Sequence, residues 1–192
     1  MRGRGGRRGD EPPASGASGL GQEADPESVA RAIALRLLAS SARSRSQLAE
    51  AMQRKDIPDD VAERVLDRFT EVGLIDDAEY ARMLVRTRHA ERGLSRRAIG
   101  VELRRRGIDD EVASDALGEV DDEDEEEAAR ALVRRKLAST ARLDPEVRAR
   151  RTFAALGRRG YPAALVARLV REALAEEGTE IGDVAEDIAR GE

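Results

Sequence analysis

The sequence predicts an all-α protein built as an elongated, curved array of three tandem three-helix repeats, about nine short helices in all, with disordered termini. Three observations predict it. Apolar residues recur every three or four positions through the middle of the chain, which is the period of a helix face and not of a strand. Glycines and capping residues cut that pattern into short pieces. The pieces also recur: Leu48, Met52, Ile57 and Val61 fall on Ile99, Leu103, Ile108 and Val112 at an offset of 51, and Leu103, Gly107, Ile108 and Val112 fall on Leu156, Gly160, Tyr161 and Leu165 at an offset of 53. Three copies at a period near ~50 residues mark a repeat array, in which each unit is expected to bury its apolar face against its neighbours.

Each element has its own signal. Val29, Ile33 and Leu37 follow Asp25-Pro26, where Asp can cap free amides and Pro suits a first turn. Ser44 and Gln47 have capping-box spacing ahead of Leu48 and Met52. A third helix follows Pro58 with Val61, Val65, Leu66 and Phe69 on one face and stops at Gly73, where a left-handed residue closes a helix without steric cost. In G-L-I-D-D-A-E-Y, Leu74 and Ile75 are expected to staple the corner, while Asp76 with Glu79 makes the next capping box. The fourth helix carries Tyr80, Ala81, Leu84 and Val85 to Gly93, Ser95 restarts the chain for Ile99 and Leu103, and Gly107 stops it. Asp109-Asp110 opens a short helix with Val112 and Leu117. Leu132, Val133 and Leu137 follow an acidic run, Asp144-Pro145 opens a helix through Phe153 and Leu156 to Gly160, and Pro162 opens the last, with Leu165, Leu169 and Val170. Residues 26–75, 76–120 and 121–178 are the expected repeats. Residues 1–25, rich in Arg and Gly, and the acidic residues 179–192 offer too little apolar surface to offset their ordering entropy and are expected to be disordered tails.

Composition narrows the function. The chain has 34 Lys and Arg against 39 Asp and Glu, a net charge of -5, so it carries no global signature of nucleic-acid binding. The distribution is uneven. Residues 82–107 include Arg82, Arg86, Arg88, Arg92, Arg96, Arg97, Arg104, Arg105 and Arg106 against only Glu91 and Glu102. Residues 130–171 include Arg134, Arg135, Lys136, Arg150, Arg151, Arg158 and Arg159 against Asp144 and Glu146. Between them lies E-V-D-D-E-D-E-E-E, residues 119–127, which suits the positive end of a helix dipole and lacks the glycine of a calcium loop. R-R-R-G and G-R-R-G stand at equivalent places in repeats two and three. The helix dipole explains one or two such cations, while the sum suits a polyanionic surface, either phosphate backbone or an acidic protein groove.

Catalytic signals are scarce. Cysteine is absent and His89 is the sole histidine, so thiolate chemistry and a His-metal cluster have no residues to use, and a triad would rest on His89 alone, in an arginine-rich helix where it reads as a surface residue. No G-x-x-x-x-G-K loop occurs. The aspartate pairs at 59–60, 76–77 and 109–110 each stand at a helix start and read as caps. Phe69, Tyr80, Phe153 and Tyr161 lie on apolar stripes and read as core, not as a base-stacking platform. Neither cofactor nor metal is expected. No apolar run approaches ~18 residues and no leader is apparent, so the chain reads as a soluble, cytoplasmic, non-enzymatic monomer without membrane partners.

The order A-R-S-R-S-Q-L, G-L-I-D-D-A-E-Y-A, E-L-R-R-R-G-I-D-D-E-V and F-A-A-L-G-R-R-G-Y resembles the RecX family over about residues 28–175. Gly73, Leu74, Asp76, Asp77, Tyr80 and Ala81 match its G-hydrophobic-hydrophobic-D-D-x-x-(F/Y)-A element, and Glu102, Leu103, Arg106, Gly107 and Ile108 match its E-L-x-x-(K/R)-G-(I/V) element. Repeat one departs from the family, with Lys55-Asp56 where Lys-Gly is usual, which bears on the shape of that corner. The resemblance implies a regulator that lies in the groove of the RecA filament on single-stranded DNA, inhibits ATP hydrolysis and strand exchange, promotes filament disassembly, and so acts in DNA repair, homologous recombination and the SOS response. Arg88, Arg96, Arg97, Arg104, Arg105, Arg106, Arg134, Arg135, Lys136, Arg158 and Arg159 are the expected partner and DNA contacts by charge and position. Gly73, Leu74, Asp76, Asp77, Tyr80, Ala81, Leu103 and Gly107 set corners and packing. An alternative is a helical-repeat DNA-binding regulator acting without RecA, distinguished by sequence-specific binding to duplex DNA. A third is a scaffold for a protein partner alone.

Overall fold

The computed structural model describes residues 25–179; apart from Asp25 and Thr179, the expected tails at 1–25 and 179–192 lie outside them. Among the described residues there are nine helices and no strand. The helices are α1 (Pro26–Ser40), α2 (Arg45–Gln53), α3 (Asp59–Glu71), α4 (Asp77–Arg92), α5 (Arg96–Arg105), α6 (Asp110–Leu117), α7 (Asp122–Ser139), α8 (Pro145–Gly157) and α9 (Ala163–Glu176). Close helix packing is confined to three triplets, α1–α3, α4–α6 and α7–α9. Each triplet has its own aliphatic core: Ile33, Leu48, Met52 and Leu66 in the first, Leu84, Ile99 and Leu103 in the second, and Val133, Leu137, Leu156 and Leu169 in the third. The four aromatics are all buried among them.

The caps follow the sequence with instructive exceptions. Asp25 accepts the Ser28 amide, Ser44 and Gln47 form a complete capping box, and Ser95 accepts the Ala98 amide. Asp76 accepts the Glu79 amide at 2.8 Å, but the reciprocal half of that box is missing because the Glu79 carboxylate turns to Arg82 and Arg86. Asp109 caps α6, whereas Asp59 and Asp60 lie inside the first turn of α3 behind a Pro58 cap, so they meet the dipole and not the free amides. Asp144 also makes no side-chain cap. At the corner after Gly73 (φ 72°), Ile75 is buried in the first core, but Leu74 is 49% exposed and staples nothing.

Consecutive repeats meet end to end through the middle helices. The Ser44 hydroxyl donates to the Arg106 carbonyl at 2.6 Å, and the Arg45 amide donates to the Asp77 carboxylate at 2.8 Å. One repeat later the Ser95 amide donates to the Arg159 carbonyl at 3.0 Å, and the Arg96 amide donates to Glu125 at 2.8 Å. The free carbonyl at each helix end thus accepts from the serine at the neighbouring helix start, from the hydroxyl of Ser44 and from the amide of Ser95, while the next free amide goes to a carboxylate, Asp77 or Glu125. The approach is close enough to require glycine. A Cβ on Gly107 (φ 70°) would lie 2.2 Å from the Ser46 hydroxyl, and one on Gly160 (φ 86°) would lie 2.6 Å from that of Ser95. Asp56, in the same place on repeat one, keeps the left-handed turn at φ 55° and receives no such contact, since no described repeat precedes it. The Lys55-Asp56 departure therefore leaves the shape of the corner unchanged.

Candidate interaction surface

The end of each middle helix carries basic residues in register: Arg54, Arg105 and Arg158 in one column, Lys55, Arg106 and Arg159 in the next, at the same offsets of 51 and 53. Cations here meet the negative end of a helix dipole, which favours them by ~0.3–1 kcal/mol each. The two columns differ in employment. The exposed side chains of Arg105 and Arg158 form no hydrogen bond or ion pair with another described residue, and that of Arg54 makes only a loose 3.7 Å pair with Glu50. In the second column the backbone carbonyls of Arg106 and Arg159 receive the preceding repeat.

The side chains of Arg106 and Arg159 in the second column are also engaged, while that of Lys55 is exposed. Arg106 donates to Glu102 at 2.6 Å and to the Tyr80 hydroxyl, and its guanidinium carbon lies 5.9 Å from the centre of that ring. Arg159 donates to the carbonyls of Arg92 and Ala155 at 3.3 and 3.2 Å. Arg88 forks onto Glu102 through two bonds of 2.8 and 2.7 Å and is 14% exposed. Between Arg88 and Arg106, Glu102 is held at a pKa of about 2, chiefly by the Arg88 hydrogen bond. Arg96 pairs with Glu125 and Asp122 and reaches the Val120 carbonyl. Asp77 is pushed above the usual carboxylate range by partial burial at the junction with Arg45.

The expected contact residues therefore divide. Arg88, Arg96 and Arg106 spend their donors on carboxylates inside the array, and Arg159 spends its own on carbonyls. Arg97, Arg104 and Arg105 on α5, Arg134 and Arg135 on α7, and Arg158 after α8 are exposed and without a described partner. Arg97 and Arg104, seven residues apart, share one face of α5. Half-buried Lys136 joins Arg135, Arg159 and Ser139 around a cavity of about 220 Å³ floored by Leu132 and Leu156. Sequence reasoning passed over Arg54, although the offset of 51 places it in the exposed column.

The motif residues are structural. Tyr80, Ala81 and Leu103 are buried, Gly73 and Gly107 make left-handed corners, and Asp76 and Asp77 tie repeat two to its own first turn and to repeat one. His89 is half-buried and its Nδ1 lies 3.2 Å from the Leu94 carbonyl, so it braces the end of α4. No group of three metal-ligating residues and no helix long and apolar enough to cross a membrane occurs among the described residues.

Comparison with known proteins fits this division into triplets. The first, second and third three-helix domains of RecX match residues 30–69, 76–117 and 123–170. The chain belongs to the RecX family. It is 51% identical over 164 residues to regulatory protein RecX of Thermobifida fusca, covering 84% of this chain and 89% of that one. It is 49% identical over 154 residues to that of Streptomyces coelicolor, covering 80% and 82%. The crystal structure of RecX from Lactobacillus salivarius has the same fold, with a TM-score of 0.68 at 23% identity over 78% of this chain and 97% of that one. RecX is thus a family of regulatory proteins, and this chain carries all three of its domains.

Proposed function

We propose that this RecX protein is a non-catalytic negative modulator of the RecA recombinase, binding in the groove of the RecA filament on single-stranded DNA. There it inhibits ATP hydrolysis and strand exchange and promotes filament disassembly. The observation that carries the surface assignment is the exposed column Arg54, Arg105 and Arg158, one cation per repeat at a fixed place. A helical filament presents its partners with a repeating surface, and an array with one cation per repeat suits such a target. Flanking Arg97, Arg104, Arg134 and Arg135 add charge that phosphate or an acidic groove would neutralise.

The mechanism is steric and electrostatic. Capped, hydrogen-bonded junctions hold the repeats at a set angle, so a bound array bridges neighbouring recombinase subunits and restricts the motions that ATP turnover needs. The test is the ATPase rate of the cognate RecA on single-stranded DNA with this protein added below stoichiometry. Strong, salt-sensitive inhibition is the expected result. No inhibition together with sequence-specific binding to duplex DNA would replace this reading with that of a DNA-binding regulator independent of RecA.

A further inference from the structure

The first helices of the three repeats are not equivalent in their surroundings. The outward face of α4, with Tyr80 and Met83, meets Leu38, Arg43 and Leu74 of repeat one across a cleft. The matching face of α7, with Ala128 and Ala131, meets His89 and Ala90 of repeat two in the same way. On α1 the matching residues, Val29 and Ala32 with Ser28 and Ile33, line an open groove of about 470 Å³ that Arg36 and Lys55 border. This is the face that receives a neighbour elsewhere in the array, and among the described residues it receives none.

We propose that this groove binds the acidic C-terminal segment, residues 180–192, of a second copy of the chain, so that molecules associate head to tail. The rim decides the charge of the occupant: Arg36 and Lys55 form no ion pair with a described residue, whereas Arg31 and Arg54 beside them pair with Glu27 and Glu50. The floor requires aliphatic side chains on one face. The segment E-I-G-D-V-A-E-D-I-A-R-G-E supplies both, with Ile181, Val184 and Ile188 at helical spacing and Asp183, Glu186 and Asp187 among them. Residues 1–24 are a poor match, because Leu20 is their one large branched aliphatic and Arg2, Arg4, Arg7 and Arg8 would meet a cationic rim.

Distance assigns the segment to another copy. Thr179 follows the third repeat and the groove lies on the first. A repeat two helix diameters thick spans at least ~20 Å. Thirteen residues reach ~45 Å at full extension, so spanning the array would leave none to dock. A groove at one end and a segment at the other form a heterologous contact, which builds chains instead of closing as a pair.

Sedimentation velocity of the full chain across a concentration range tests this at low and high salt, with Ala32→Glu closing the groove and Val184→Asp spoiling the segment. The proposal expects a sedimentation coefficient that rises with concentration and falls back in high salt, no rise for either variant alone, and a limit at dimers for an equal mixture of the two. Ala32 is exposed on α1 and Val184 lies beyond the described residues, and equal helical circular dichroism of all three proteins checks their folding. Lys55→Ala, which changes only the rim, should weaken association at low salt. A full chain whose sedimentation is independent of concentration, an Ala32→Glu variant that still associates, or an equal mixture that grows beyond dimers would overturn the proposal. None of these outcomes depends on the recombinase reading.

Discussion

Asp56 and Gly107 stand at the same corner in successive repeats with nearly the same backbone, φ 55° and 70°, yet only one of them has to be glycine. The difference is the neighbour. Ser46 presses on Gly107 and nothing described presses on Asp56, so the residue at this corner is selected by the junction more than by the turn. Aspartate visits the left-handed region at modest cost, and at an unoccupied corner that cost is the whole penalty.

The largest effect should come from breaking the junction. Gly107→Ala adds a Cβ 2.2 Å from the Ser46 hydroxyl at a left-handed position, where the overpacking and backbone terms sum to roughly 3 kcal/mol. Thermal unfolding should show a Tm lower by about 6–12 °C. Gly160→Ala should follow closely, since its Cβ would lie 2.8 Å from that of Ala98. A Gly107→Ala protein that melts with wild type would mean that the repeats slide past each other without strain.

Next comes the ion network behind the same corner. Glu102→Gln should cost on the order of 2 kcal/mol at neutral pH, because Arg88 and Arg106 both lose their carboxylate. The pH dependence has a definite sign. The folded-state pKa of about 2 lies below the ordinary value of 4.5, so this stabilisation is complete above about pH 4.5 and disappears as the pH falls toward 2. Denaturant melts of the two proteins should therefore differ at pH 7 and converge near pH 2. The smallest effect belongs to the open corner: Asp56→Gly should raise stability by about 0.5–1 kcal/mol, the backbone term alone, with no relief of a clash added because no described neighbour presses on that turn.

The same contrast explains what was legible in the sequence. The caps at Asp25, Ser44 and Ser95 and the stops at Gly73, Gly93, Gly107 and Gly160 are local, set within one turn, and the period of about fifty residues displayed the array. Asp77 capping α2 and Glu125 capping α5 were not legible, because each partner lies about thirty residues away and only the packed junction joins them. Arg88 and Arg96 read as surface charge because their carboxylates, Glu102 and Glu125, lie 14 and 29 positions away, whereas the Arg106–Glu102 pair, four residues apart on one helix, was within reach of a helical reading. Leu74 failed as a staple since Ile75, its neighbour, already fills the first core.

The central claim is that the exposed arginine column, held in place by these junctions, is what acts on RecA. The most direct measurement is ATP hydrolysis by RecA on single-stranded DNA at substoichiometric wild-type protein and at the same amounts of the triple variant Arg54→Glu, Arg105→Glu, Arg158→Glu. Loss of the dipole attraction at three helix ends should lower Tm by several degrees; with the variant still folded at the assay temperature, the account predicts inhibition by wild type and its loss in the variant, with a shallower salt dependence of whatever remains. Equal inhibition by the two proteins would contradict it.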